Sequence, residues 1–315
     1  MKKITIHFQW IMAVLLGIAI TSCSSNDDGV QTGIEIPGVT IDNDADCCSA
    51  EEALNVYNYL SGLVEIPSLA TEVEGKYKVQ VYTKTENLHT GYNDIYFVAT
   101  KKQTGNYIKY LDVTSITPLM HMQAMDMYHS SPASESSRLV NYDFPAVKRG
   151  WVSFVMSSSD TDSWTLSYHV DVLGSTGSGE AAINVSALPD GQVWLKSFKY
   201  GSNTYYLSLV NPTDWQTGTN TIQAYVSKKN MPATTPYKLA TETFTIDIDP
   251  RMPDMGNHTS PNNSPLQLQT DGSYQGTVNL TMTGLWRLHL TVKDAEGNIV
   301  AGGEELNTLF WDVTI

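Results

Sequence analysis

The sequence predicts an all-β protein: two tandem immunoglobulin-like β-sandwich domains after a lipoprotein signal, a polar tether and one short helix. Three observations carry that expectation. Apolar and polar residues alternate with a period of two through most of the chain, and four short blocks recur in the same order in its two halves. Aromatic usage, with 17 Tyr and 7 Trp against 7 Phe, favours strands. A chain of 315 residues fits two domains of roughly 100–200 residues each. Composition narrows the class further. With 41% hydrophobic and only 17% charged residues the chain can bury real cores and is not a disordered polymer. Its 19 Lys+Arg against 33 Asp+Glu, a formal net charge of -14, repel a phosphate backbone, so no nucleic-acid partner is expected.

The N-terminus sets the compartment. Lys2 and Lys3 precede an apolar run from Ile11 to Ile20, and residues 1–22 read as a signal peptide too short to span a bilayer permanently. Ile20-Thr21-Ser22-Cys23 resembles a bacterial lipobox, which implies cleavage before Cys23, lipidation of Cys23 and attachment to the lipid bilayer. Ser24-Ser25-Asn26-Asp27-Asp28 resembles the acidic tag that sends Bacteroidota lipoproteins to the outer surface, so an outer membrane lipoprotein, exposed at the cell surface, is expected. Residues 23–63 form the lipid-anchored tether and end in a short helix over Ser49 to Leu63, where Glu51 and Glu52 follow a capping Ser49. Adjacent Cys47 and Cys48 leave a vicinal disulfide, an interchain bridge and metal binding open. Asp42, Asp44 and Asp46 are spaced like a calcium loop but lack its turn glycine and bidentate glutamate.

Beyond the helix the period is two, as in Tyr77 to Tyr82, Trp151 to Met156 and Trp286 to Leu290. The recurrence is specific. Gly91-x-Asn93-x-Ile95 returns as Gly218-x-Asn220-x-Ile222, and His129-Ser130-Ser131-Pro132 returns as His258-Thr259-Ser260-Pro261. Gly150-x-Val152-x-Phe154-x-Met156 returns as Gly276-x-Val278-x-Leu280-x-Met282, and Trp164-x-Leu166-x-Tyr168 as Trp286-x-Leu288-x-Leu290. The sandwiches are therefore placed at 64–172 and 185–315. Residues 173–184, with Gly174-Ser175-Thr176-Gly177-Ser178-Gly179, read as a flexible linker. Met156, Met282, Trp164 and Trp286 are expected in the cores.

Six of the nine methionines that follow the signal fall in two short segments at equivalent points of the repeat. The first holds Met120, His121, Met122, Met125, Met127 and His129, and the second Met252, Met255 and His258. Both read as loops, without strand or helix period. Thioether sulfur is a soft donor that suits Cu(I), and imidazole accepts either oxidation state of copper. Outside the cell thiols oxidise while Met persists as a ligand, so a secreted copper protein has reason to use Met and His. Zinc prefers Cys, His or carboxylate. The competing expectation is that these methionines fill gaps under a loop, or serve a protein or glycan partner of a structural surface module.

Met252-Pro253-Asp254-Met255-Gly256-Asn257-His258, with Gly272 to Gly276 and Thr281 to Leu288, resembles the YtkA-like and FixH families. The resemblance is clearest over about residues 245–292 and looser in the first domain. It implies small exported immunoglobulin-like sandwiches, associated by context with copper delivery and cytochrome oxidase assembly, and so a copper-handling or membrane partner. It carries Met252, Met255 and His258 over as ligands, and in the first domain Met122, Met125 and His129. Two departures bear on ligand geometry: Asn257 precedes His258, and one extra residue precedes His129. No nucleophile elbow, phosphate-binding glycine loop or His-Glu-x-x-His helix is present, so the chain reads as a non-enzyme. His89, His169 and His289 read as ordinary strand or turn residues.

Overall fold

A computed structural model describes residues 35–39, 50–135, 144–189, 192–303 and 308–315. The signal, Cys23, Asp42 to Asp46, Cys47 and Cys48 lie outside them. The all-β expectation holds. The helix spans Ala50–Ser61 and buries Ala53, Val56 and Leu60, a stripe at helical spacing, while Glu51 and Glu52 sit favourably at its positive end.

The first half packs two sheets face to face. One joins Tyr77–Thr83, Gly91–Lys101 and Val147–Phe154 with three shorter strands, and the other runs in the order Ser175–Ile183, Ser163–Val172, Leu111–Met122, Met127–Ser130. Between them lies a core that includes Val79, Val81, Ile95, Phe97, Phe154, Trp164 and Tyr168. Gly91–Lys101 is buried on both faces because its outward Tyr96 and Val98 lie under the helix.

The second half is one ten-stranded sheet folded over on itself. Ser264–Leu268 makes the corner: it pairs with Tyr274–Leu280 on one side and Thr245–Met252 on the other, with a register shift between Ser264 and Gln267. The fold encloses a second core around Tyr205, Ile222, Phe244, Trp286 and Trp311.

The linker expected over 173–184 is instead the edge of the first half. Ser175–Ile183 pairs with Ser163–Val172 rung by rung, from Trp164 opposite Ile183 to Val172 opposite Ser175. Its glycines serve packing. A Cβ on Gly177 would stand 2.6 Å from a methyl of Val73, and one on Gly179 would stand 2.5 Å from the Tyr168 ring. The first half then continues to Val185–Ser186, which pairs parallel with Leu88–His89.

The recurring Gly-x-Asn block has a local cause. Gly91 and Gly218 take the left-handed conformation, at φ 85° and 96°, and turn the chain into its strand. Asn93 Nδ2 donates to the carbonyls of His89 and Gly91 at 2.7 and 2.8 Å, and its Oδ1 accepts the His89 amide at 3.0 Å. Asn220 makes the same three bonds to Gln216 and Gly218, at 2.7, 3.1 and 3.0 Å. One buried side chain thus closes the same turn in both halves.

The halves touch along a polar and aromatic seam. Trp151 stacks on Tyr225 with ring centroids 4.8 Å apart. The Ser130 amide donates to the Ala233 carbonyl at 2.7 Å, the Tyr237 amide to Ser131 at 3.0 Å, and Glu135 pairs with Lys238 at 2.9 Å. At its edge the buried Asp94 meets Arg149 at 2.8 Å and Lys84 at 2.6 Å. Burial alone would raise the Asp94 carboxyl, and these two cations outweigh it and hold it below its ordinary range.

Asn93→Ala and Asn220→Ala should each cost about 2–4 kcal/mol, three hydrogen bonds at roughly 1 kcal/mol each with buried groups left unpaired. Urea unfolding of the two variants checks this, and Asn→Asp substitutions should not restore stability, because a carboxylate cannot donate to the two carbonyls.

Candidate functional site

The two Met/His segments are not loops. Each is the end of a β-hairpin, with a strand running into a single three-residue 3-10 turn and out again. In the first half Leu111–Met122 leads into Gln123–Met125 and returns as Met127–Ser130; in the second, Thr245–Met252 leads into Pro253–Met255 and returns as His258–Thr259. The turns close the same way, with Asp126 and Gly256 in the left-handed conformation. These short turns break the alternation in sequence and hide the strands on either side.

Cross-strand pairing fixes which side chains share a face, because partners directly opposite one another point the same way. In the first hairpin Met120 is opposite His129, His121 opposite Tyr128, and Met122 opposite Met127. Met120, Met122, Met127 and His129 therefore line one face. His121 lies on the other, where it stacks flat on Tyr128 at 4.3 Å, with Nε2 3.4 Å from Asp126. In the second hairpin Met252 is opposite His258.

A shared base underlies both. Trp164 pairs with Met120 from the next strand over, so Met120 stands between Trp164 and His129. The His129 ring meets Trp164 edge-to-face at 5.5 Å, and His258 lies 6.4 Å from Trp286. Each indole N–H is anchored at 2.9 Å, on the Met156 carbonyl and the Met282 carbonyl. Trp164 and Trp286 lie in the cores as expected, whereas Met156 and Met282 are only partly buried and pack at the core margins.

Exposure then divides the nine candidate residues. Met120 is 0% and Met252 3% exposed, so these two thioethers fill the cores and are removed from the set that can reach an ion. Met122 is half-buried against the first core. Met125, Met127 and Met255 stand out at 60%, 52% and 55%. The first hairpin is two rungs longer than the second, and those rungs are the His121–Tyr128 and Met122–Met127 pairs. Where Met252 and His258 close the second hairpin, the first adds a thioether pair beyond the same Met and His.

His129 Nδ1 lies 2.9 Å from the Ser130 carbonyl, which can only accept, so Nδ1 is the donor of that bond and Nε2 is the ring nitrogen turned away from it. The turn above is held by Asp162, whose Oδ1 accepts the Gln123 amide at 3.1 Å. The other histidines are structural: His89 Nδ1 meets the Thr90 carbonyl at 2.9 Å, His169 pairs with Ser115 at 3.0 Å, and buried His289 lies against Phe310. Among the described residues no cluster of three or more His, Cys, Asp or Glu side chains could hold a metal ion. No helix among them is long and apolar enough to cross a membrane.

A YtkA-like family model matches residues 199–291, a stretch that contains the second hairpin. No curated protein matches the sequence significantly. Solved structures that resemble the chain include a DUF4785 family protein from Legionella pneumophila, at 12% identity and a TM-score of 0.23 over 76% of this chain. This chain spans 56% of that protein. Others are a conserved domain protein from Bacillus anthracis, at 10% identity and a TM-score of 0.26 over 82% of this chain and 92% of that one, and the SGBP-B protein of a Bacteroides ovatus mixed-linkage glucan utilization locus, solved with a heptasaccharide, at 12% identity and a TM-score of 0.16 over 73% of this chain and 66% of that one.

Met120→Leu and Met252→Leu should each cost less than about 1.5 kcal/mol, as volume-conserving core swaps do. Denaturant unfolding reads this directly. A larger loss at either position would mean that the sulfur itself, not its volume, is needed there.

Proposed function

We propose that this chain, which carries a YtkA-like domain over residues 199–291, is a tandem of YtkA-like or FixH-like immunoglobulin-like sandwiches. It is tethered to the outer membrane through acylated Cys23, as in Bacteroidota lipoproteins, and binds copper as Cu(I) for delivery, storage or sensing. The first hairpin is the principal site, with Met122, Met127 and His129 as ligands and Met125 from the turn within reach. The second hairpin, with Met255 and His258, is the lesser one. On this reading the chain is not an enzyme, and its partner is a copper-handling or membrane protein.

One observation carries the proposal. Met122 and Met127 face each other across the last rung of the hairpin, Met127 largely in water, on the face that also carries His129. Thioether and neutral imidazole together make a soft, uncharged set that favours Cu(I) over the hard cations an acidic surface would otherwise gather. Cross-strand neighbours have Cβ atoms about 4.5–5.5 Å apart, close enough for two flexible thioethers to share one ion. A packing role explains Met120 and Met252. It does not explain Met125 and Met127, which leave most of their surface in water.

Titration of the full chain with Cu(I) under reducing conditions, against a competing chelator, tests the reading. Wild-type protein should bind saturably, and Met122→Ala, Met127→Ala or His129→Ala should each weaken binding about tenfold or more. Met120→Leu should bind as wild type does. Absence of saturable binding, or binding indifferent to the three substitutions, would refute it and leave the exposed hairpin as a docking surface for a protein partner.

A further inference from the structure

A cavity of about 320 Å³ lies where the two halves meet, at the lower end of the range of small-molecule sites, about 300–1,000 Å³. The first half lines it with Lys84, Tyr92 and Asp94, and the second with Trp194, Val210 and Asn211. Both halves are needed to enclose it. Tyr92 also packs against Tyr225 of the second half, with ring centroids 6.0 Å apart, so one wall of the cavity belongs to the seam itself.

The lining divides by the polar capacity that its own hydrogen bonds leave over. Asp94 is spent: Oδ1 accepts the Tyr92 hydroxyl and Arg149 Nε, both at 2.8 Å, and Oδ2 holds the Lys84 ammonium at 2.6 Å. The Tyr92 hydroxyl is used in the same contact, and the Trp194 N–H donates to the Asp312 carbonyl at 3.2 Å. Both rings therefore have carbon left to offer, as Val210 does. Lys84 keeps more. Its side chain is 59% exposed, and an ammonium that gives one N–H to Asp94 has two others. Asn211 Nδ2 donates to Gln223 at 3.0 Å, which leaves the Asn211 side-chain oxygen as an acceptor. Lys84 and Arg149 together meet the single carboxylate of Asp94, so this cluster carries a surplus positive charge on a chain whose net charge is -14. That surplus favours an anionic group.

We infer that the cavity binds a uronic acid residue, a sugar ring that carries a carboxylate. The carboxylate meets the Lys84 ammonium, the C–H face of the ring lies on the Trp194 and Tyr92 side chains, and a ring hydroxyl donates to Asn211. A neutral sugar would leave the surplus charge unanswered, and a plain aromatic acid would leave Asn211 without a donor. Because the walls come from both halves, the bound sugar also holds them together. The inference is independent of the copper reading, and the two sites share no residue.

Saturation-transfer NMR on the full chain tests it with methyl glucuronide, methyl glucoside and benzoate as probes. The glucuronide should bind saturably, and the glucoside, the same ring without the carboxylate, about tenfold more weakly or less. Lys84→Met should reduce the glucuronide to the level of the glucoside, Lys84→Arg should keep most of the binding, and Asn211→Ala should weaken it several-fold. Cu(I) titration of Lys84→Met should match that of the wild type. No saturable glucuronide binding, equal binding of glucuronide and glucoside, or indifference to Lys84→Met would overturn the inference. Binding of benzoate without glucuronide would overturn it too, since the cavity would then take an anion but not a sugar.

Discussion

The hairpin ends depend on a buried tryptophan in each half. Trp164 and Trp286 are fully buried, and each indole N–H is satisfied by the carbonyl of a methionine at the mouth of the sandwich, 2.9 Å away in both. Leaving a buried indole N–H without a partner costs free energy, and here the chain that carries Met156 or Met282 supplies the accepting carbonyl. Once the indole is set, the strand beside it presents Met120 or Met252 to the core, and the return strand places His129 or His258 along its margin. The placement of these Met and His side chains is therefore a consequence of core packing one layer below.

That arrangement explains why methionines alike in sequence take different roles. Met120 and Met122 are two residues apart on one strand and point the same way, yet one is sealed and the other half-open. The difference is distance from the tryptophan. At the rung of Trp164 the sandwich is closed overhead, and two rungs further it ends, so Met122, Met127 and the turn residue Met125 emerge at the rim. The second hairpin stops two rungs earlier and, of its Met and His side chains, keeps Met255 and His258 at its surface. The two halves share the base and differ at the tip.

Much of the fold was legible in the residues. Strict alternation located strands such as Tyr77–Thr83, and the Gly-x-Asn recurrence marked a turn that the structure closes with the same three hydrogen bonds twice. Two features were not legible. Gly174 to Gly179 have the composition of a flexible linker, but glycine there answers to Val73 and Tyr168 pressing on the strand, a tertiary demand no local pattern reveals. The Met/His segments look aperiodic because a 3-10 turn shifts the alternation, and which methionines face inward follows only from the register.

The most direct test of this account is X-ray absorption of the full chain loaded with Cu(I). The account predicts a first coordination shell of mixed sulfur and nitrogen scatterers, with sulfur in the majority and lost in part when Met122 and Met127 are replaced together. A shell of nitrogen and oxygen alone, or one unchanged by that replacement, would contradict it.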